Sequence, residues 1–424
     1  MIRITNRKLL PVVFIACVFG NSIGAQQSFS QAQFTSDFDY LWSTLHDHYA
    51  YFDHKETDWK KVRDLYRPML AHVKSRSDFI SLLERVLDEL YDNHTSLNTN
   101  LKTSPRLVPT GLDLWAEWRK GKAVITQLRS GFSAEQAGLK IGMEIISING
   151  LPIEEAVARR LPKSLKAINL NARNWALRAV LAGTHDRPRV IAAKGRSGIA
   201  VYRLDLPTQT TVDNYRYVPR VAWRMLPRQI AYIKINDLVS PDIVSQFDSA
   251  LSDLRSSRGL ILDLRDIPRG GNTDVAEPIM GRLIDRRMPY QQVVPLHGPK
   301  YLKEVSPRGD WTYQAPIVVL INRWTASMGE GIAIGLDGMN RATIVGTRMA
   351  GLNGGIFNLE LPQTKIGVSY AGERLNHING TPRENFVPPV LVNLMDRRLS
   401  RLDDPIFKTG YKRLNGLINA HPKK

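Results

Sequence analysis

The chain has 424 residues, with 58 Lys and Arg against 40 Asp and Glu for a formal net charge of +18, 43% hydrophobic residues, 23% charged residues and one cysteine. That apolar content fills real cores, so long disorder and collagen-like structure are excluded, and the length suits roughly two to four domains. One cysteine excludes a disulfide scaffold and a Cys-x-x-Cys zinc or thiol-exchange site.

Residues 1–25 open with Arg3, Arg7 and Lys8, continue as an apolar run from Leu9 to Phe19 and end in small residues up to Ala25. This is the layout of a secretory signal, which predicts export and, after cleavage, no cysteine and no integral membrane domain. A second reading is lipidation at Phe14-Ile15-Ala16-Cys17, and a third is an uncleaved anchor.

Residues 28–102 read as a helical bundle. Phe38, Leu41, Trp42 and Leu45, then Trp59, Val62, Tyr66, Met69 and Val73, then Phe79, Leu82, Leu83, Val86, Leu87 and Leu90 recur at helical spacing. The third helix runs into turn formers around Asp92-Asn93-His94-Thr95, which set His94 at its C-terminal edge. Residues 105–208 turn β-rich, with strands predicted at 123–128, 144–149 and 199–206. Within them Ser133 to Gly150 resembles the signature of a PDZ domain, and 153–185 forms a helical insertion without an evident task. From 225 to 400 strands alternate with helices, which predicts an α/β sheet covered on both faces. Residues 401–424 read as a basic C-terminal tail.

Four segments hold residues suited to chemistry. Leu320 to Gly331 is an apolar strand, a tight corner and a helix, with Ser327 at the corner. There unpaired N–H groups and the helix dipole favour developing negative charge, although the segment alone reads better as a helix cap. Asp263 to Thr273 also follows an apolar strand, and its Gly270-Gly271 pair lets backbone N–H groups approach a substrate oxygen. It has neither the Gly-x-Gly-x-x-Gly order nor the P-loop lysine of a nucleotide site. Asn379 to Pro389 offers Glu384, and His94 is the fourth. The basic residues are scattered, with a lone aromatic in each dense stretch (187–203 and 408–424), so no nucleic-acid partner is expected.

Taken in order, these features resemble the tail-specific, or carboxyl-terminal processing, serine proteases, a family that includes the catalytic core of tricorn protease. The matching elements are the bundle with Asp92-x-His94, the PDZ-like module, Asp263-Leu264-Arg265 with Gly270-Gly271, Ser327-x-Gly329-Glu330 and the late Glu384. The resemblance implies an α/β multidomain protein: a helical bundle, a PDZ-like module with its insertion and a ClpP/crotonase-like core. It also implies hydrolysis of polypeptides with no cofactor and no metal. The branch that uses a lysine base is disfavoured, because its lysine position is Leu352 and no Lys lies between Ser327 and Lys365. The tricorn-like branch implies Ser327 as nucleophile, His94 as general base and Glu384 as the group steadying the imidazolium. Gly270 or Gly271, together with Met328, would supply the oxyanion hole. Glu373 and Asp92 are rival partners for His94. The alternatives are a non-proteolytic protein holding a peptide or apolar ligand, as the retinoid-binding members do, and a PDZ-led scaffold of the cell envelope.

Overall fold

The computed structural model describes residues 28–206, 218–396, 398–399 and 402–420. The expected signal at 1–25, with Cys17, lies outside the described residues. No helix among those described is long and apolar enough to cross a membrane.

The first helix, Gln31–His48, starts from a reciprocal cap in which the Gln33 N–H donates to Ser30 Oγ and the Ser30 N–H to Gln33 Oε1. It buries Phe34, Phe38, Leu41 and Leu45, one face at helical spacing. Trp59–Tyr66 and Arg76–Asp88 follow, capped by Asp58 and Ser75. These three helices do not close a core of their own. Their apolar faces pack with Leu361, Ile366, Val368, Tyr370 and Ala371 from late in the chain. Buried Asp37 seals the junction by accepting the N–H groups of Gln363 (2.8 Å) and Thr364 (2.7 Å).

The β-rich module is an antiparallel sheet in the order Leu114–Arg119, Lys122–Leu128, Glu144–Ile148, Arg189–Gly195 and Gly198–Leu204, with the short Leu151–Pro152 paired to the third strand. The first and fourth of these strands were not anticipated. The insertion forms two helices, Ile153–Arg160 and Leu170–Ala182, the second of which lies against Leu114–Arg119. A buried bidentate pair, Arg189 to Asp113 at 2.8 Å, fastens the fourth strand to the entry of the first.

The third part is built on a sheet in the order Val390–Leu391, Ala342–Gly346, Ile317–Ile321, Gly259–Asp263, Ile230–Ile235 and Val221–Leu226, parallel except for the last. Gly259–Asp263 and Ile317–Ile321 are buried at every position, as expected of strands covered on both faces. Helices Asp242–Asp253, Thr273–Gly281 and Met328–Gly338 cover one face. The other is covered by Pro405–Ala420, through Ile406, Leu414 and Ile418. This corrects the expected basic tail. Apolar residues four and eight apart form a stripe that Lys408, Lys412 and Arg413 mask in the sequence.

A second sheet joins Ser96–Leu97, Gly367–Asn376, Met288–Pro295 and Tyr301–Val305 in that order, with Gly355–Glu360 also on Gly367–Asn376. Its register pairs Ser96 with Ser369 and Leu97 with Val368. That pairing carries the end of the helical bundle, and His94 with it, into the α/β part.

Candidate active site

Ser327 ends the turn between Ile317–Ile321 and Met328–Gly338. Its backbone has φ 51° and ψ −113°, a region that L side chains rarely adopt. The turn is over-determined. Thr325 Oγ1 donates to the Leu264 carbonyl (2.9 Å) and accepts the Asn322 N–H (3.0 Å), and the Ala350 N–H donates to the Thr325 carbonyl (3.0 Å). Trp324, fully buried, leaves the α/β part altogether. It packs in the core of the β-rich module edge-on to Trp115, and its Nε1–H donates to the Leu112 carbonyl at 2.7 Å.

Glu330, in the first turn of the helix, ties this corner to the next loop. Its carboxylate accepts the N–H groups of Ser327 (2.9 Å), Gly351 (2.9 Å) and Leu352 (3.3 Å). Burial pushes its pKa up to about 7 despite those donors and the Arg383 guanidinium nearby. Sequence reasoning had Glu330 only as a motif letter. Its place three residues after Ser327 was the available signal.

The glycine pair meets Ser327 from the other side. Gly270 has φ +65°, and a Cβ there would collide with Ser327 Cβ and come within 3.0 Å of its Oγ, so only glycine fits. The Gly270 N–H donates to the Ile267 carbonyl (3.2 Å), turned into its own loop. The N–H groups of Gly271 and Met328 have no protein acceptor among the described residues. The second belongs to the unsatisfied first turn of a helix. Of the three donors named from sequence, these two are the ones left open to a ligand oxygen.

His94 and Ser327 line one cavity of about 530 Å³, without a hydrogen bond between them. Asp92 shapes the turn, accepting the His94 N–H at 2.9 Å while also holding Tyr49 Oη (2.8 Å) and Thr95 Oγ1 (3.1 Å). His94 Nδ1 lies 2.5 Å from the Asn353 carbonyl. With Nδ1 donating there, Nε2 is the basic nitrogen. Burial and the Arg383 charge lower the His94 pKa to about 4, so the ring is a neutral base at ordinary pH. Arg383 is itself buried, its Nη2 donating to the carbonyls of Leu352 (3.2 Å) and Gly354 (2.7 Å). Neither Arg383 nor the Asn353 carbonyl was singled out from the sequence, where neither forms a spacing pattern.

Glu384 sits in the turn Arg383–Asn385 and faces a different cavity from Ser327. Its Oε2 is buried with no hydrogen-bond partner, and burial raises its pKa. The geometry therefore brings together Ser327, His94, Gly270, Gly271 and Met328, with Asp92 behind His94, and leaves Glu384 without a bond to the imidazole. Glu373 lines the Ser327 cavity, its pKa also raised by burial. Among the described residues no group of three His, Cys, Asp or Glu could hold a metal ion.

A strained serine at a strand-to-helix corner, two backbone N–H groups without a protein acceptor and a neutral histidine are the parts a serine-type peptidase uses. Residues 229–389 match Peptidase family S41 and residues 30–88 match the Tricorn protease C1 domain. The chain therefore carries segments similar to the Peptidase family S41 and tricorn C1 domains, and it is similar to proteins named as carboxyl-terminal processing and tricorn proteases. It is 23% identical over 339 residues to Tricorn protease homolog 1 of Streptomyces coelicolor, covering 76% of this chain and 29% of that protein. It is 25% identical over 331 residues to the carboxyl-terminal-processing protease of Synechocystis, covering 73% and 69%. The fold is shared with mature CPAF in complex with lactacystin (TM-score 0.61, 16% identity, 92% of this chain and 99% of that one). It is also shared with the photosystem II D1 C-terminal processing protease (TM-score 0.54, 19% identity, 85% and 94%). The chain spans less than a third of the Streptomyces relative.

Proposed function

We propose that the protein is an exported serine endopeptidase acting on polypeptides. Ser327 Oγ attacks the scissile carbonyl, and His94 Nε2 takes its proton and returns it to the leaving amine. The N–H groups of Met328 and Gly271 hold the oxyanion, each worth about 2.7–4 kcal/mol in comparable sites. The Asn353 carbonyl fixes the imidazole tautomer. Glu384 is the carboxylate that steadies the imidazolium by turning toward it, a role its unpartnered buried oxygen supports. The β-rich module, read as PDZ-like, holds the substrate chain near the cavity. Export rests on residues 1–25.

The observation that carries the reading is the strained Ser327, which shares a cavity with a histidine kept neutral by burial. Such strain is retained where a hydroxyl must be presented, and a helix cap alone has no need of it. The test is fluorophosphonate labelling and casein digestion by the wild type beside Ser327→Ala and His94→Ala, with mass spectrometry of the secreted N-terminus. Labelling confined to Ser327 and lost in both variants supports the proposal. A wild type that is folded, unlabelled and inactive would leave the ligand-binding alternative standing.

A further inference from the structure

A second cavity, of about 770 Å³, lies where the helical bundle, the β-rich module and the α/β part meet. Its walls include Lys55 from the bundle, Arg119 and Arg178 from the module, and Arg323 and Arg348 from the α/β part. Three carboxylates face the same space, Asp92, Glu117 and Glu384. The five cations outnumber them. Asp92 is occupied by Tyr49, Thr95 and the His94 backbone, and Glu117 pairs with Arg323 and, at 3.2 Å, with Arg119. Glu384 Oε2 is buried with no hydrogen-bond partner. Among the described residues Lys55, Arg178 and Arg348 have no carboxylate within ion-pair distance.

Arg178 is the sharpest case. It stands on the insertion helix Leu170–Ala182, its guanidinium 4.8 Å over the Trp115 ring, and its Nε is buried without any partner. Burial and the neighbouring Arg323 charge push its pKa down to about 10. A buried guanidinium edge and like charges around one polar cavity are costly unless an anion completes them.

We propose that this cavity binds a phosphate-type oxyanion, held by Arg178, Arg348 and Lys55, with Arg323 at its margin. Planar guanidinium groups suit such an anion bidentately, and a dianion satisfies more than one of them. The volume leaves room for an organic portion on a phosphate monoester. The site gives the helical insertion a task, since Arg178 and its neighbours Asn174 and Trp175 line it. Its walls also lead directly to the catalytic groups. Arg323 belongs to the turn that ends in Ser327 and donates to the Met349 carbonyl (2.9 Å), while Gly351 and Asn353, which hold Glu330 and His94, line the same cavity. A bound oxyanion therefore braces the module against the loop that sets His94. That consequence rests on the peptidase reading, whereas the binding does not.

The test is thermal unfolding and calorimetric titration of the full chain carrying Ser327→Ala. Inorganic phosphate, glycerol phosphate and acetate are compared at matched ionic strength with chloride. The expected result is saturable binding of phosphate with a rise in unfolding midpoint, and affinity weakened about tenfold in Arg178→Gln and in the exposed Arg348→Gln. Arg196→Gln, on a distant hairpin, keeps full affinity. Tighter binding of glycerol phosphate than of phosphate assigns the site to a monoester, and the reverse order assigns it to the free ion. Equal effects of phosphate, acetate and chloride, or undiminished binding in the folded Arg348→Gln chain, would overturn the proposal. Neither result depends on whether the wild type cleaves peptides.

Discussion

The turn that ends in Ser327 and the β-rich module share a core through one side chain, Trp324, so perturbing that side chain should reach Ser327 without touching it. Trp324 is fully buried among module residues, and its Nε1–H holds the Leu112 carbonyl at 2.7 Å. Truncating a buried Trp to Ala costs about 3–5 kcal/mol, and leaving a buried carbonyl unpaired adds about 1–3 kcal/mol. Trp324→Ala therefore removes much of a typical domain stability of about 5–15 kcal/mol and tests only folding. Trp324→Phe is the informative variant. It keeps most of the packing, gives up the Leu112 bond and should lose about 1–3 kcal/mol in urea unfolding followed by circular dichroism. Because Ser327 lies three residues on in a strained conformation, a small displacement of the turn should slow fluorophosphonate labelling on the order of 10- to 100-fold. A Trp324→Phe protein with wild-type urea midpoint and wild-type labelling rate would show that the module is merely adjacent to the catalytic corner.

Other expectations follow from the same geometry. Gly270→Ala should abolish labelling, because its methyl group collides with Ser327 Cβ. Gly121→Ala, at φ +77° with open space around it, should cost only about 1–2 kcal/mol in thermal unfolding and keep labelling. With neutral His94 as the proposed base, the acid limb of kcat/KM should lie nearer pH 4 than 6.5. With its folded pKa depressed, His94 contributes stability that is complete above its unfolded pKa and lost as pH falls toward 4. Arg383→Met should move that limb upward, and a limb at 6.5 in the wild type would contradict the assigned environment. A separate inflection near 7 that disappears in Glu330→Gln belongs to that buried carboxyl. Glu384→Gln should lower kcat with KM unchanged if the carboxylate turns to the imidazolium. Asp92→Asn should instead destabilise the fold, by about 1–3 kcal/mol in urea, through its bonds to Tyr49 and Thr95.

What could be read in the sequence was periodic or local. Helices such as Arg76–Asp88 show their buried face as a stripe, the strand Ile317–Ile321 shows itself as an uninterrupted apolar run, and Ser327 sits at the joint between run and helix. The strand Leu114–Arg119 escaped because its two tryptophans and a glutamate at 117 spoil the alternation. The glutamate is there to meet Arg323 across the module boundary. The terminal helix Pro405–Ala420 escaped because Lys408, Lys412 and Arg413, with no acid among them, make its exposed side read as a basic tail.

The orientation of His94 could not be read for a different reason. It depends on a backbone carbonyl, that of Asn353, and a carbonyl is present at every residue and so leaves no trace in residue type. The loop bearing that carbonyl is set by Glu330 from one side and by Arg383 from the other, and His94 is carried to it where Ser96–Leu97 pairs with Gly367–Asn376. Placing the imidazole is therefore a property of the assembled sheet. Substitutions that weaken this pairing, far from Ser327 in sequence, should disturb His94 before they disturb the strained corner, whose bonds to Leu264 and Asn322 are made within the α/β part alone.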